Sequence, residues 1–231
     1  NKKILNKMET KEPKNQVNEA AEQAAAQKKA QMIKAVKYAS IVVGAIVAVV
    51  LVYIYAVRNP AIEGGNEAIG QADFALMEAN GDSAKMAEVL KKYEAVAQNH
   101  GQAAGNRANL MAAIGLYEKG DYQKCLEYLD AYSSTGAIID AAAYSLKGDC
   151  YVNLKKYDEA ISAFGKAIST SDENPQLTPY FMAKQARVYN EKKEYAKELE
   201  IYESIKNDYP KYSGMDIDKF IERAKALVEK K

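Results

Sequence analysis

The chain has 231 residues, of which 48% are hydrophobic and 27% are charged, enough for one medium-sized domain with an appendage. Its formal net charge of +1 hides an asymmetry, because residues 1–38 carry nine Lys and four Glu while the residues after Arg58 carry a net charge of −5. A mildly acidic region of this size lacks the basic footprint typical of nucleic-acid binding. We therefore expect no nucleic-acid partner.

One hydrophobic segment, Ala39 to Val57, has no charged residue. About 20 apolar residues are needed for a helix to span the hydrocarbon core of a membrane. A cleaved secretory signal has a shorter apolar region, of roughly 7–15 residues, close to the N-terminus. Here a tail of 38 residues precedes the segment, so residues 39–57 are predicted as an uncleaved, single-pass transmembrane helix.

The charges that flank this helix predict its orientation. Four Lys precede it closely, whereas only Arg58 lies just after it, and positive charge favours the cytoplasmic side. Residues 1–38 are therefore predicted as a basic cytoplasmic tail, residues 58–65 as a linker and residues 66–231 as a domain across the membrane.

A stripe of small residues marks one face of the predicted span. Ser40, Gly44 and Ala48 are spaced at four, and such stripes let another membrane helix approach closely. We predict a helix contact on this face. The alternative is that these residue types are simply common in any span.

A repeat is the main signal after the linker. Gly148 and Tyr151 have the G-x2-Y spacing of the first tetratricopeptide helix, and Ala160 and Phe164 have the A-x3-F spacing of the second, with Pro175 after the pair. Small residues at Gly148 and Ala160 allow two helices to cross closely. This predicts a repeat over residues 141–174.

Similar turns predict further copies. Tyr122, Tyr157 and Tyr195 are 35 and 38 residues apart, near the 34 expected per repeat. They place repeats at about 104–135 and 178–210. Glu198 falls where a small residue belongs, so the last pair is expected to pack less tightly or to face a capping element.

The ends of the repeat region complete the predicted fold. Residues 66–99 form a degenerate hairpin with Ser83 as a helix N-cap, and residues 216–229 form an amphipathic capping helix. The fold class is therefore all-α, a single N-terminal transmembrane helix followed by a tetratricopeptide-type α-solenoid.

The residues needed for catalysis are scarce. His100 is the only histidine, and no Cys-x-x-Cys, P-loop or dinucleotide fingerprint occurs. We expect no enzyme activity, cofactor, metal or small-molecule substrate. Cys125 and Cys150 are interpreted as small buried apolar residues, with pairing open if their Cα atoms come within about 7 Å.

The run NRANLMAAIGLYEKGDYQKCLEYL (Asn106–Leu129), together with the tail, anchor, repeats and final helix, resembles the YfgM family of ancillary translocon subunits. The resemblance implies a bacterial inner-membrane protein with a periplasmic repeat domain. It implies Sec translocon subunits and periplasmic chaperones as partners. A scaffold for another envelope complex and a regulator that signals through its tail stay open as alternatives.

The binding surface is predicted from the repeat register. In stacked helix pairs the first helices line a concave groove, so their inward polar and aromatic residues are expected to touch a partner. The alternative for any one of them is ordinary solvated helix surface. Counting from the landmarks predicts these groove residues: Arg107, Tyr117, Asp149, Asn153, Arg187 and Asn190.

Overall fold

The structure, a computed structural model, describes residues 12–230. Within them the chain is helical and contains no strand, so the all-α prediction is confirmed. The helices are α1 Glu12–Tyr53, a π-helical turn Ile54–Arg58, α2 Asn59–Ala79, α3 Ser83–Asn99, α4 Gln102–Lys119, α5 Tyr122–Ala131, α6 Ala137–Asn153, α7 Tyr157–Thr170, α8 Leu177–Glu191, α9 Tyr195–Asp208 and α10 Ile217–Glu229.

The chain divides into two compact units, an N-terminal unit Asn1–Pro60 and a repeat unit Ala61–Lys231. In the N-terminal unit the side chains of residues 39–53 are exposed along α1. One described helix, which includes residues 39–57, is long and apolar enough to cross a membrane. Its length and composition make it a candidate membrane span.

Residues 58–65, which were predicted as a linker, have helical backbone. The turn before it is a π-helix, in which the Asn59 N–H bonds to the Ile54 carbonyl five residues back. Pro60 follows; its ring crowds the carbonyl four residues earlier, at Ala56, and it has no N–H to donate there. A wider π turn over Ala56 accommodates both defects without ending the helix.

The repeat unit is a series of helix pairs built on a shared core. Helices α2 and α3 bury Ile69, Ala72, Val89 and Tyr93 in one cluster, which continues into α4, α5 and α6. The Tyr93 hydroxyl donates to Asp73 Oδ1 at 2.8 Å. The predicted degenerate hairpin therefore shares its hydrophobic core with the pair that follows it.

Close helix crossing depends on small residues at the predicted landmarks. Gly148 of α6 lies against the buried Phe164 ring of α7, and a Cβ on Gly148 would lie 2.6 Å from Phe164 Cε1. Ala160 is also fully buried. The two helices thus approach as the repeat pattern predicts, because the glycine leaves room for the aromatic ring.

Two turns fix where helices begin. The N-cap of α3 is Asp82 and not Ser83, since the Asp82 carboxylate accepts the N–H groups of Ala84 and Lys85 at 2.9 and 3.0 Å. Asn80 and Gly81 have positive φ angles. The turn therefore ends at Gly81, and Asp82 has the extended backbone that an N-cap requires.

Another turn precedes α6 and is held by the buried carboxylate of Asp140. This carboxylate accepts hydrogen bonds from the Tyr132 and Ser134 hydroxyls and from the Thr135 N–H. Burial alone would raise the pKa of Asp140, but these donors outweigh burial and hold the pKa below its ordinary value.

The final pair meets a capping helix through a buried charge. Glu198 of α9 is fully buried. It accepts a hydrogen bond from Asn190 Nδ2 at 2.7 Å and forms an ion pair with Arg223 of α10. Ile221 and Ala224 of α10 are buried as well. Of the two explanations offered for Glu198, the structure shows the one in which it faces a capping element.

Candidate peptide-binding groove

A cleft of about 360 Å³ is lined by three helices that are each the first of a pair, α4, α6 and α8. Each helix contributes residues from one face, spaced at three or four as a helical stripe requires. We call this cleft the first-helix groove, and its lining residues are Leu110, Ile114, Ala142, Ala143, Ser145, Leu146, Asp149, Leu177, Tyr180, Phe181 and Lys184.

The walls of the first-helix groove are apolar and partly open. Ile114 of α4 is 38% exposed and Tyr180 of α8 is 45% exposed, although both line a cleft. Ile138, one turn before Ala142 on α6 and outside the lining of this cleft, is 61% exposed. Large apolar side chains left open in one cleft are typical of a binding site.

Lys184 forms a polar centre in this apolar surface. Its Nζ donates to Asp149 Oδ2 at 2.5 Å and to Ser145 Oγ at 3.1 Å, and it lies 5.0 Å from the centre of the Tyr180 ring. Burial raises the pKa of the Asp149 carboxyl, while the Lys184 ammonium opposes that rise. These contacts hold the polar groups of α6 and α8 in fixed positions.

Of the six residues predicted to line a groove, Asp149 is among the lining residues of the first-helix groove. Arg107 and Tyr117 lie on the same stripe of α4 as Leu110 and Ile114, one turn beyond each end of that pair. Arg107 forms an ion pair with Asp73 of α2 at 2.8 Å. Burial raises the pKa of Tyr117, whose ring packs edge to face against Tyr122 with centroids 5.5 Å apart.

The other three predicted residues lie toward the C-terminal ends of α6 and α8. Asn153 Nδ2 donates to the backbone carbonyl of Asp149 at 2.9 Å. The Arg187 guanidinium lies 6.0 Å from the centre of the Phe220 ring, and Asn190 donates to Glu198. Partner contact by these residues stays a prediction, because the contacts that the structure gives them are within the chain.

Sequence reasoning missed the apolar lining of the groove. It selected polar and aromatic side chains, whereas the lining of the groove also includes the apolar residues Leu110, Ile114 and Leu146. A signal was present in the sequence. Leu146 lies on the face of α6 away from the landmarks Gly148 and Tyr151, where a fully solvated face would carry polar side chains.

The small-residue face of α1 is open in the structure. Ser40, Gly44 and Ala48 are exposed, and a Cβ on Gly44 would meet nothing within 4 Å. The Ser40 hydroxyl donates to the Val36 carbonyl at 2.8 Å, so its hydrogen bond is satisfied inside the helix. The helix contact on this face stays a prediction.

Groups suited to metal binding were searched for in the part of the chain that the structure describes. Residues 12–230 contain no cluster of three or more His, Cys, Asp or Glu side chains able to hold a metal ion. His100 lies between α3 and α4, near Gly65 of α2. Its partial burial against a helix agrees with a packing role.

The fold supports a tetratricopeptide-type protein-interaction module, as does one match to a known family. Residues 141–174 match the tetratricopeptide repeat family, over the same residues as the central predicted repeat. No curated protein matches the chain.

Several solved structures are similar to this chain. A Podospora anserina kinesin light chain with nearly identical TPR-like repeats has a TM-score of 0.58 at 12% identity, covering 72% of this chain and 89% of the other. A MamA protein has a TM-score of 0.51 at 17% identity, covering 71% and 90%. MamA residues 41 to the end, from Desulfovibrio magneticus RS-1, have a TM-score of 0.50 at 14% identity, covering 71% and 92%. At these identities the likeness shows the fold alone.

Proposed function

We propose that this protein is a membrane-anchored module that binds a segment of a partner protein in the first-helix groove. One observation supports this most directly. The groove keeps large apolar side chains, Ile114 and Tyr180, open around the Lys184–Asp149 pair. In a chain with no required contact at this place, burying or replacing those side chains would be favourable.

The dimensions of the groove favour a short extended segment. Packed helices lie about 10 Å apart, so three first helices span about 20 Å. An extended chain advances about 3.3 Å per residue, so about six residues cross the groove. Such a segment would place apolar side chains against Ile114 and Tyr180, with a polar group near Lys184.

A pair of matched variants tests this proposal. Ile114→Ala with Tyr180→Ala removes the two exposed apolar groups of the groove, whereas Tyr195→Ala with Val228→Ala removes a similar pair from a separate cleft beside α9 and α10. Truncating a well-packed interface residue costs about 1–2 kcal/mol, so the groove variant, which truncates two, should bind its partner roughly 30–900-fold more weakly. The control variant should bind as the native protein does.

Binding is measured by titrating the partner recovered with the native protein, in parallel with circular dichroism melting of each variant. Equal weakening by both double variants, or no weakening by the groove variant, would contradict the proposed site. Loss of binding with an unchanged melting temperature only in the groove variant supports it.

More specifically, we propose that the protein associates with the Sec translocon. The protein would then be an ancillary inner-membrane subunit that links exported proteins to periplasmic chaperones, with its N-terminus in the cytoplasm and its repeat unit in the periplasm. The candidate span, the Lys-rich flank before it and the resemblance of residues 106–129 to that family support this proposal.

Purification of the full-length protein from native membranes in mild detergent, followed by mass spectrometry, tests the specific proposal. The expected result is recovery of the Sec channel and periplasmic folding factors, lost when residues 39–57 are replaced by an unrelated span. Recovery of cell-wall or outer-membrane assembly proteins without the channel would instead favour an envelope scaffold. Loss of all function on deletion of residues 1–27 would favour a regulator.

A further inference from the structure

The two cysteines of the chain lie against each other between α5 and α6, where the second helix of one pair meets the first helix of the next. Both side chains are fully buried, and the Cys150 Sγ donates to the Cys125 Sγ at 3.1 Å. The sequence has two cysteines in all, so each is the only intramolecular partner for the other. A disulfide bond is about 2.05 Å long, so joining them needs an approach of about 1 Å.

We propose that Cys125 and Cys150 form a disulfide that crosslinks the α4–α5 pair to the α6–α7 pair in the mature protein. This inference rests on the proposed periplasmic placement of the repeat unit, because the periplasm is oxidising and the cytoplasm keeps thiols reduced. In that compartment two adjacent thiols with no competing thiol in the chain are a substrate for disulfide formation.

The oxidant is the active-site disulfide of a thiol–disulfide oxidoreductase. One cysteine, as the thiolate, attacks a sulfur of that disulfide and forms a mixed disulfide, with one oxidoreductase sulfur leaving as a thiolate. The second cysteine then attacks the sulfur of the first cysteine in the mixed disulfide and releases the other oxidoreductase sulfur as a thiolate. Two electrons pass to the oxidoreductase, and the two protons lost by the cysteines end on its thiols or in water.

Burial decides when this reaction can occur. The hydrogen bond with Cys125 and then burial raise the pKa of Cys150, and a buried protonated thiol does not attack a disulfide. The bond therefore forms while the α5–α6 interface is still open, during folding after export. Once that interface closes, the same burial shields the bond from reductants.

The place of the bond gives it a mechanical role. α5 has 10 residues, whereas α7 and α9 have 14 each, so the second helix of this pair offers less surface to its neighbours. In stacked repeats, stability depends on each interface between neighbours. A bond that closes a 25-residue separation across the α5–α6 interface couples the α4 and α6 walls of the first-helix groove.

A first experiment tests the chemistry without reference to location. Reduced full-length protein in detergent is opened with urea, exposed to a glutathione redox mixture and returned to buffer to refold. It is then alkylated in denaturant, so that any remaining buried thiols react. We expect a peptide that joins Cys125 to Cys150, and a thermal midpoint about 10 °C above that of the reduced protein. Cys125→Ala and Cys150→Ala should each remove the dependence on reductant. Two alkylated cysteines, or glutathione adducts alone, would overturn the proposal.

A second experiment tests the mature protein. Cells are quenched with acid, the protein is alkylated in denaturant, and it is then analysed without reductant. Cysteines protected from alkylation support the disulfide, and free thiols in a protein that oxidises readily after purification overturn it. Protease access to the repeat unit in spheroplasts reports its location separately. The groove variants report partner binding, so a failure of either proposal is distinguishable from a failure of the other.

Discussion

The close contact between Gly148 and Phe164 makes opposite predictions for two glycine-to-alanine changes. Both Gly70 and Gly148 lie inside helices, where alanine is favoured over glycine by about 1 kcal/mol. A Cβ on Gly70 would meet nothing within 4 Å. Gly70→Ala should therefore raise the free energy of unfolding by about 0.5–1 kcal/mol.

At Gly148 the added methyl group would lie 2.6–2.8 Å from three atoms of the Phe164 ring. That ring is 1% exposed and packs with Ala160 and Val188, so it has little room to move. Overpacking of such a site costs about 3 kcal/mol, at the upper end of the usual range. Subtracting the helix gain of about 1 kcal/mol leaves Gly148→Ala destabilised by about 2 kcal/mol.

Differential scanning calorimetry of the two variants measures these effects side by side. For a unit of this size, 1 kcal/mol corresponds to about 2–4 °C, so Gly148→Ala should melt about 4–8 °C below the native protein. Gly70→Ala should melt slightly above it. A midpoint for Gly148→Ala at or above that of Gly70→Ala would refute the close-crossing argument.

Three other changes have defined outcomes. Arg223→Met should destabilise the repeat unit by about 3 kcal/mol in urea melts, because it leaves the buried Glu198 without its cation. A further Glu198→Ala change should recover most of the loss. A stability of Arg223→Met within about 0.5 kcal/mol of native would contradict this. The lowered pKa of Asp140 gives stability that is present above its ordinary pKa near 4 and lost as pH falls through the lowered value, so native and Asp140→Asn proteins should differ more at about pH 6 than at about pH 3. Lys184→Met should raise the pKa of Asp149 further, as measured by carbon-13 NMR titration, and an unchanged pKa would show that the ammonium does not oppose burial there.

The repeat landmarks were predictable because their residue types follow from the close contact of two helices. Gly148, Ala160 and Phe164 form one contact in which size alone decides what fits. That constraint is local, so one 34-residue window of sequence contains it. The Glu198 departure was visible for the same reason, although its partner Arg223 lies 25 residues away and depends on where the capping helix packs.

The groove was less predictable, because it depends on which faces of three separate helices come together. Helical register placed Arg107 and Tyr117 on the stripe of α4 that also carries Leu110 and Ile114. It did not show that Arg107 pairs with Asp73, or that Leu110 and Ile114 form the wall between them. The Asp149–Lys184 pair joins residues 35 positions apart, and neither side chain alone distinguishes a groove from a solvated face.

The helical backbone of residues 58–65 shows a different limit. Asn59, Pro60 and two glycines at 64 and 65 are typical of a linker, and each disfavours a regular helix. The π turn before Pro60 removes the steric conflict. A Cβ added to Gly65 would lie 3.1 Å from the Ala104 Cβ, so Gly65 packs closely against Ala104. Tertiary packing thus overrides local propensity at Gly65.

Site-specific photocrosslinking from the first-helix groove tests the central claim most directly. A photoreactive amino acid replaces Tyr180 in one strain and Val228 in another, and both full-length proteins are irradiated in native membranes. If the groove binds a partner segment, position 180 should give a discrete crosslinked polypeptide that position 228 does not. That product should disappear when Ile114→Ala is added. Absence of a product at position 180, or the same products at both positions, would contradict the account.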